Sequence, residues 1–202
     1  MAQPQSDMSL KDAIANRRAV RSFTPQQIDQ DTIRKLLDAA VHAPTAMHQE
    51  PWAFAVIQDQ GTLKRLTKRS GELLALEAHT FPPDKAKRLL GYFDDPNFSV
   101  CYNANTLIVI YGKPMGPFVA ADCWLAAENL MLAATAFGLG TCVIGLALPT
   151  LNTPEWRAEL SVPDSLTAYV AIIVGEPSGE TPPTPRKEPE ILAWRPAPSG
   201  NA

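Results

Sequence analysis

In about the first 45 residues, apolar residues recur at the spacing of helices. Ser9 followed by Asp12, just before an apolar pair, predicts a capped short helix over residues 10–16. Asp29 or Asp31 is placed to cap a second helix, which Pro44 ends. The apolar positions that define this second helix lie 3.6 residues apart, at Ile33, Leu36, Leu37, Ala40 and Val41.

Three runs of mostly apolar and β-branched residues predict strands, at residues 53–58, 106–112 and 169–177. The last two runs are nearly continuous, which is typical of strands covered on both faces. A long helix is predicted between them, over residues 119–137. Residues 59–100 are mixed and predict a helical excursion or lid.

A stretch without a formal charge runs from Leu130 to Pro149. Its 20 residues are enough for a membrane span, which is the alternative interpretation. Gly138 and Gly140 divide the stretch into a helix-like and a strand-like half, and no basic cluster flanks it. We therefore predict a buried helix, a glycine turn and a buried strand.

The predicted long helix is apolar almost all round. Only Asp122 and Glu128 carry charge between Phe118 and Pro154, so the helix must be covered on every side. The sheet can cover one side and a second copy of the chain the other, which predicts a homodimer. The tail from Glu176 holds 7 of the 19 prolines and predicts an extended arm over about 176–195, with 196–202 disordered.

Composition narrows the class of protein. The 202 residues are 46% apolar, which predicts one domain over 1–202. A net charge of −3 speaks against a nucleic-acid binder. Three cysteines without C-x-x-C spacing indicate neither a disulfide framework nor a zinc site, and no metal site is expected. The residues after Met1 show no secretory signal pattern. We therefore expect a cytoplasmic protein without a membrane span.

Arg17, Arg18 and Arg21 concentrate positive charge in an otherwise acidic chain. Guanidinium groups grip phosphate through paired hydrogen bonds, so these arginines indicate a ligand that carries phosphate. The alternative is a solvated surface turn. The sequence alone leaves both open.

The loop over residues 43–52 joins a helix to a strand and is rich in hydroxyl, amide and imidazole groups. Loops in this position often bind ligands. His48 is a candidate general base, a contact of a cofactor or substrate, or a bystander, and Trp52 is expected in the core.

The segment over 138–145 fails the G-x-G-x-x-G pattern because position 143 is Val. Gly145 would let backbone N–H groups approach a planar ligand closely. A helix cap followed by an ordinary core strand explains the segment equally well. Cys142 is expected to be buried and inert.

Four blocks in this order resemble the nitroreductase family of FMN-dependent oxidoreductases: RRAVRSF, APTAMHQEPW, ENLMLAATAFGLGTCVIG and PRKEPEILAW. The resemblance runs in pieces over about residues 9–194. It implies an α+β fold, a three-layer sheet flanked by helices, with dimerisation through the long central helix and exchanged C-terminal arms. It also implies FMN at the dimer interface.

The resemblance assigns FMN contacts residue by residue. Contacts with the phosphate and ring fall on Arg17, Arg18 and Arg21, with Ala19 where the family often has Ser, and on Arg186. The segment along the isoalloxazine ring, with a backbone N–H near N5, is Val143, Ile144 and Gly145. Asn97 matches a contact on the pyrimidine side. The loop that reaches the flavin from the other subunit matches Pro44, Thr45, Ala46 and His48.

Two departures from the family pattern bear on the site. His48 and Glu50 stand where the family commonly has Asn and Gln. A carboxylate facing the flavin would disfavour its anionic reduced form, so Glu50 points elsewhere or lowers the flavin potential. Val143 replaces a usually bulky aromatic residue, which would open the pocket.

The resemblance implies an enzyme in which NADH or NADPH delivers a hydride to flavin N5. The electrons then pass to a nitroaromatic, a quinone or a similar small acceptor in a ping-pong cycle. No side chain is assigned as a catalytic acid or base, because the flavin performs the chemistry. The alternatives are a flavin-binding sensor or carrier without catalysis, and a reductive dehalogenase or dehydrogenase on the same scaffold.

Overall fold

One antiparallel sheet forms the centre of the molecule. The computed structural model describes residues 8–195, and its strands are β1 (Trp52–Ile57), β2 (Thr106–Gly112), β3 (Gly140–Val143) and β4 (Thr167–Gly175). Their order is β1-β2-β4-β3, with every neighbouring pair antiparallel. The inner strands β2 and β4 are nearly all buried, as their apolar runs predict. The structure starts and ends β4 two residues earlier, and β1 one residue earlier, than predicted.

Helices cover both faces of this sheet, which makes three layers. The described residues contain α1 (Leu10–Asn16), α2 (Gln30–Val41), α3 (Gln60–Glu77), α4 (Pro83–Gly91), α5 (Val119–Ala136), α6 (Leu148–Leu151) and α7 (Pro154–Glu159). One apolar core joins α2 and α5 to side chains such as Ile108 and Ile172. The other joins α3, α6 and α7 to their strand neighbours Leu107 and Ile173. The predicted α+β class, a sheet flanked by helices, is confirmed.

The first two helices begin where their caps predict. The Ser9 hydroxyl accepts the Asp12 backbone N–H at 3.1 Å, which satisfies a donor that the helix itself leaves free. Asp29, and not Asp31, caps α2 by accepting the Thr32 N–H at 2.7 Å. Hydrogen bonds from Thr32 lower the pKa of the Asp29 carboxyl. The carboxylate is therefore the form that holds the cap.

The predicted buried helix, glycine turn and strand are all present. α5 ends at Ala136, and Gly138 adopts a left-handed φ of 73° in the turn that leads to β3. Glycine takes this conformation without the steric cost of a side chain. Among residues 8–195, no helix is both long and apolar enough to cross a membrane.

α5 buries eight residues, and the seven apolar ones pack in one core with the sheet and α2. On its other side Trp124 and Leu125 each remain 46% exposed. Leu10 and Ile14 of the neighbouring helix α1 are also exposed. The uncovered apolar side that the sequence predicts is thus present, and the homodimer that would cover it stays a prediction.

Residues 59–100 hold α3 and α4, and α4 has no buried residue. The arm over 176–195 has no helix or named strand and is almost wholly exposed. The first residue of the arm is held by a hydrogen bond, in which the Thr24 N–H donates to the Glu176 carbonyl at 2.9 Å. The lid role of 59–100 and the docking of the arm on a second copy remain predictions. Predicted disorder over 196–202 lies outside the described residues.

Candidate functional site

Residues 17–21, here called the arginine segment, lie along the free edge of β3. Val20 donates its N–H to the Thr141 carbonyl at 2.9 Å, and Ala19 pairs with Thr141 in parallel. The Val20 side chain packs over Gly140 so closely that a Cβ there would lie 2.8 Å from it. Two blocks more than a hundred residues apart in the chain are therefore held side by side.

The three arginines take separate directions from this edge. Arg17 is partly buried and donates from Nε to the Glu128 carboxylate of α5 at 3.2 Å. Arg18 turns back and donates to the Ala15 carbonyl at 2.6 Å and to the Arg17 carbonyl at 2.9 Å. It thereby satisfies carbonyls that the end of α1 leaves free. A uniformly solvated turn does not describe this segment.

Arg21 lines a small cavity at the end of β3. Its guanidinium lies 5.8 Å from the centre of the Tyr102 ring, within the range of a cation–π contact. The cavity has a volume of about 80 Å³. Its lining residues are Arg21, Phe98, Val100, Tyr102, Cys142, Val143, Ile144, Gly145 and Leu146. The structure therefore brings Arg21 together with the predicted ring segment.

Within that segment, Gly145 is the residue that leaves room. Ile144 is buried and already donates its N–H to the Ala171 carbonyl at 2.8 Å. A Cβ added to the exposed Gly145 would meet no atom within 4 Å. The backbone at Gly145 is thus open on the side where a side chain would lie.

Cys142 faces the same cavity with a buried thiol. Its side chain is buried, and this burial raises the pKa of the thiol, while the charge of Arg21 lowers it to a lesser extent. A thiol with a raised pKa carries little thiolate at neutral pH. The predicted inert cysteine agrees with its surroundings.

The loop over 43–50 lies at the beginning of α5 and has an unusual backbone. Met47, His48 and Glu50 have left-handed φ values of 56°, 55° and 46°. Such residues store local strain unless neighbouring contacts hold them. Buried Asp122 supplies one such contact by accepting the Ala46 N–H at 3.0 Å. The predicted loop is therefore fixed from α5.

Several predicted contacts lie outside the Arg21 cavity in the described chain. The loop residues Pro44, Thr45, Ala46 and His48 do not line it, and Trp52 is buried in the core as predicted. Asn97 lines a larger neighbouring cavity of about 630 Å³ between α3 and residues 93–104. Arg186 lies on the exposed arm.

Sequence reasoning missed an aromatic row that leads to Arg21. The Tyr92 and Phe98 rings stack at 5.5 Å, and the Phe98 and Tyr102 rings meet edge to face at 6.2 Å. Tyr102 and Asn103 are both left-handed, with φ of 48° and 58°, which turns the chain beneath Arg21. The only available signal was the aromatic spacing in YFDDPNFSVCYN, and no motif marked it.

Comparison with known proteins gives a consistent result. Residues 14–176 match the family model described as the nitroreductase family. An iodotyrosine deiodinase from Thermotoga neapolitana is 26% identical over 89% of this chain and 94% of that protein. The nitroreductase NfnB of Mycolicibacterium smegmatis is 28% identical over 74% of this chain and 75% of its own length.

Among solved structures, a nitroreductase from Bacteroides fragilis with bound FMN superposes with a TM-score of 0.80 at 25% identity. The match covers 93% of this chain and all of the other. Because the family model spans most of the chain and this fold agrees with it, the protein belongs to the nitroreductase family.

Proposed function

We propose that the protein is an FMN-dependent oxidoreductase that works as a homodimer. It takes electrons from NADH or NADPH and passes them to a nitroaromatic, a quinone or a similar small acceptor. The observation that carries this proposal is the pairing of the arginine segment with β3 at 2.9 Å. This pairing supports the proposal because it brings the arginines that would bind a phosphate and the open backbone at Gly145 to the same edge of the sheet.

The residues present fit FMN. After its Nε donates to Glu128, Arg17 keeps its two terminal amino groups, which match two phosphate oxygens. Arg21 and the open backbone at Gly145 border the cavity that would take one edge of the flavin ring. The bound FMN of the Bacteroides fragilis relative supports this choice of cofactor.

The Arg21 cavity is too small to hold a whole flavin ring. Sites for small ligands and cofactors usually enclose about 300–1,000 Å³, whereas this cavity holds about 80 Å³. We infer that this cavity takes only an edge of the ring, and that the rest of the site comes from the neighbouring cavity lined by Asn97 and from a second chain. Exposed Trp124 and Leu125 on α5 offer an apolar surface for a second copy, whose loop over 44–48 would complete the site.

When bound, FMN supplies the two-electron chemistry of the reaction. Arg17 is proposed to bind its phosphate and Gly145 to let the ring lie close to the backbone. Arg21 places a permanent positive charge beside the cavity, which favours negative charge there. No acid or base is assigned, because Cys142 is held neutral by burial and His48 does not line the cavity. Donor and acceptor would use the same cavity in turn, so ping-pong kinetics are expected.

Anaerobic reduction tests the proposal directly. The purified protein should be yellow, and NADH or NADPH should bleach the visible flavin absorbance within seconds to minutes. Adding a nitroaromatic or a quinone should restore the colour. A yellow protein that neither dinucleotide reduces would instead be a flavin-binding sensor or carrier, and a protein that binds no FMN would contradict the proposal.

Reductive dehalogenation is a second candidate. The similarity to an iodotyrosine deiodinase along nearly its whole length favours it. Reduced protein mixed with either an iodophenol or a nitroaromatic distinguishes the two activities. Release of iodide with return of the flavin colour supports dehalogenation, whereas reoxidation by the nitroaromatic alone supports the first proposal.

A further inference from the structure

Glu128 is one of two charged residues on α5, and the family resemblance gives it no role. Its Oε1 lies 3.2 Å from the Nε of Arg17. We propose that Glu128 is a positioning residue that orients the Arg17 guanidinium for the phosphate of FMN. This inference rests on the proposed function, because it needs a flavin phosphate at Arg17.

The contact with Glu128 leaves the terminal amino groups of the Arg17 guanidinium free to bind phosphate. A guanidinium has five N–H donors in a rigid planar fork, and the bond to Glu128 uses the single donor on Nε. Nη1 and Nη2 each direct one N–H along the end of the fork, and these two donors can bind two phosphate oxygens in parallel. A contact at Nε therefore fixes the plane of the group without competing for that edge.

Arg17 is anchored at both ends. Its backbone N–H donates to the Ala13 carbonyl at 2.9 Å at the end of α1, and its guanidinium meets Glu128. Between these points lie several rotatable bonds, which a free arginine would have to order on binding. Ordering them before the ligand arrives lowers the entropic cost of binding.

The charge of Glu128 acts in the opposite direction. A carboxylate near the phosphate repels it, and a partly exposed ion pair contributes little to stability on its own. The side chains of Arg17 and Glu128 are 25% and 46% exposed, so solvent screens the repulsion as well. We expect the orienting effect to exceed the repulsion.

Flavin titrations separate the phosphate from the ring. The full-length protein is freed of flavin and titrated with FMN and with riboflavin, which has the same ring without the phosphate. The Kd of riboflavin divided by the Kd of FMN measures what the phosphate contributes. Glu128→Ala should lower this ratio roughly fivefold and leave the riboflavin Kd unchanged, while Glu128→Gln, which keeps an oxygen acceptor, should retain or raise the ratio.

Two further variants complete the design. Glu72 is a matched control, because it pairs with Arg69 at 3.1 Å and is also 46% exposed, yet does not border the site. Glu72→Ala should leave the ratio unchanged. In an Arg17→Ala background, Glu128→Ala should lower the ratio no further, since Glu128 acts through Arg17.

Each other outcome has a definite meaning. An unchanged or higher ratio in Glu128→Ala overturns the inference, and a higher one identifies Glu128 as a competitor of the phosphate. Equal weakening of FMN and riboflavin, or a further loss in the Arg17→Ala background, also overturns it, because the effect would not pass through the phosphate contact. If the wild-type protein binds neither flavin, the proposed function fails first.

Discussion

Gly145 offers a substitution that separates the stability of the free chain from its affinity for flavin. A Cβ at this position meets no atom within 4 Å, and Gly145 is not among the glycines with positive φ. Alanine therefore fits the free chain without strain. Replacing glycine at such a position stabilises a protein by about 0.4–1 kcal/mol, because the unfolded chain loses conformational freedom. The flavin-free Gly145→Ala variant should unfold at the wild-type temperature or slightly above it.

The same methyl group should weaken flavin binding. The space at Gly145 is open in the chain alone, and it is where the flavin ring is proposed to lie. Extra methyl groups in a fitted contact cost about 1–3 kcal/mol, which corresponds to a loss in affinity of about 5-fold to 140-fold. FMN and riboflavin should lose affinity by the same factor, because the ring is displaced and the phosphate is not.

Thermal unfolding of the flavin-free variant and fluorescence titration with both flavins measure the two effects. Wild-type flavin affinity in Gly145→Ala would refute the placement of the ring against this backbone. A fall of several degrees in the unfolding temperature would refute the claim that the position is free of steric conflict.

Three more predictions concern the neighbouring residues. Arg17→Ala should weaken the binding of FMN by about 2 kcal/mol, which one charge-assisted contact contributes. The affinity for riboflavin should stay unchanged in the same titration. Gly140→Ala should destabilise the flavin-free protein by about 2 kcal/mol in thermal unfolding, because its Cβ would lie 2.8 Å from Val20. Cys142 should resist iodoacetamide in the native protein at pH 8 and react after denaturation, because burial raises the pKa of its thiol and keeps it protonated there. Mass spectrometry of the labelled protein measures this.

The contrary results are equally specific. An Arg17→Ala variant with unchanged FMN affinity would remove the phosphate assignment. Wild-type stability in Gly140→Ala would mean that the arginine segment does not pack tightly on β3. Rapid labelling of native Cys142 would show a thiolate that the buried position does not permit.

Local patterns made much of the fold predictable. The inner strands β2 and β4 were recognisable because a strand covered on both faces is apolar at nearly every position. Ser9, and Asp29 as one of two candidates with Asp31, were recognisable because a helix start needs an acceptor for its free N–H groups. Strand ends shifted by one or two residues, since the pairing partner sets where a strand stops, and that partner is distant in the sequence.

Candidate site residues were predictable only where they lie in one of the four sequence blocks that resemble the family. The residues around Arg21 and Gly145 were found, but the pairing of Ala19 with Thr141 that joins them is a long-range contact with no local signal. The contacts of Glu128 with Arg17 and of Tyr102 with Arg21 were missed for a similar reason, because each comes from a single residue of a distant part of the chain.

The unusual backbone conformation of one loop was the other feature that the sequence did not predict. The loop around His48 contains left-handed residues that are not glycine, whereas sequence reasoning expects that conformation mainly at glycine and asparagine. A contact from Asp122, more than seventy residues later, supports this loop. Such strain becomes visible only when the surrounding structure is known.

Sedimentation velocity followed at the visible absorbance of flavin tests the central claim most directly. If two chains jointly hold FMN beside Arg17 and Gly145, all of the colour will sediment at the mass of a dimer at micromolar concentration. Colour that travels with a single chain, or a dimer that sediments without colour in the presence of excess FMN, would contradict it.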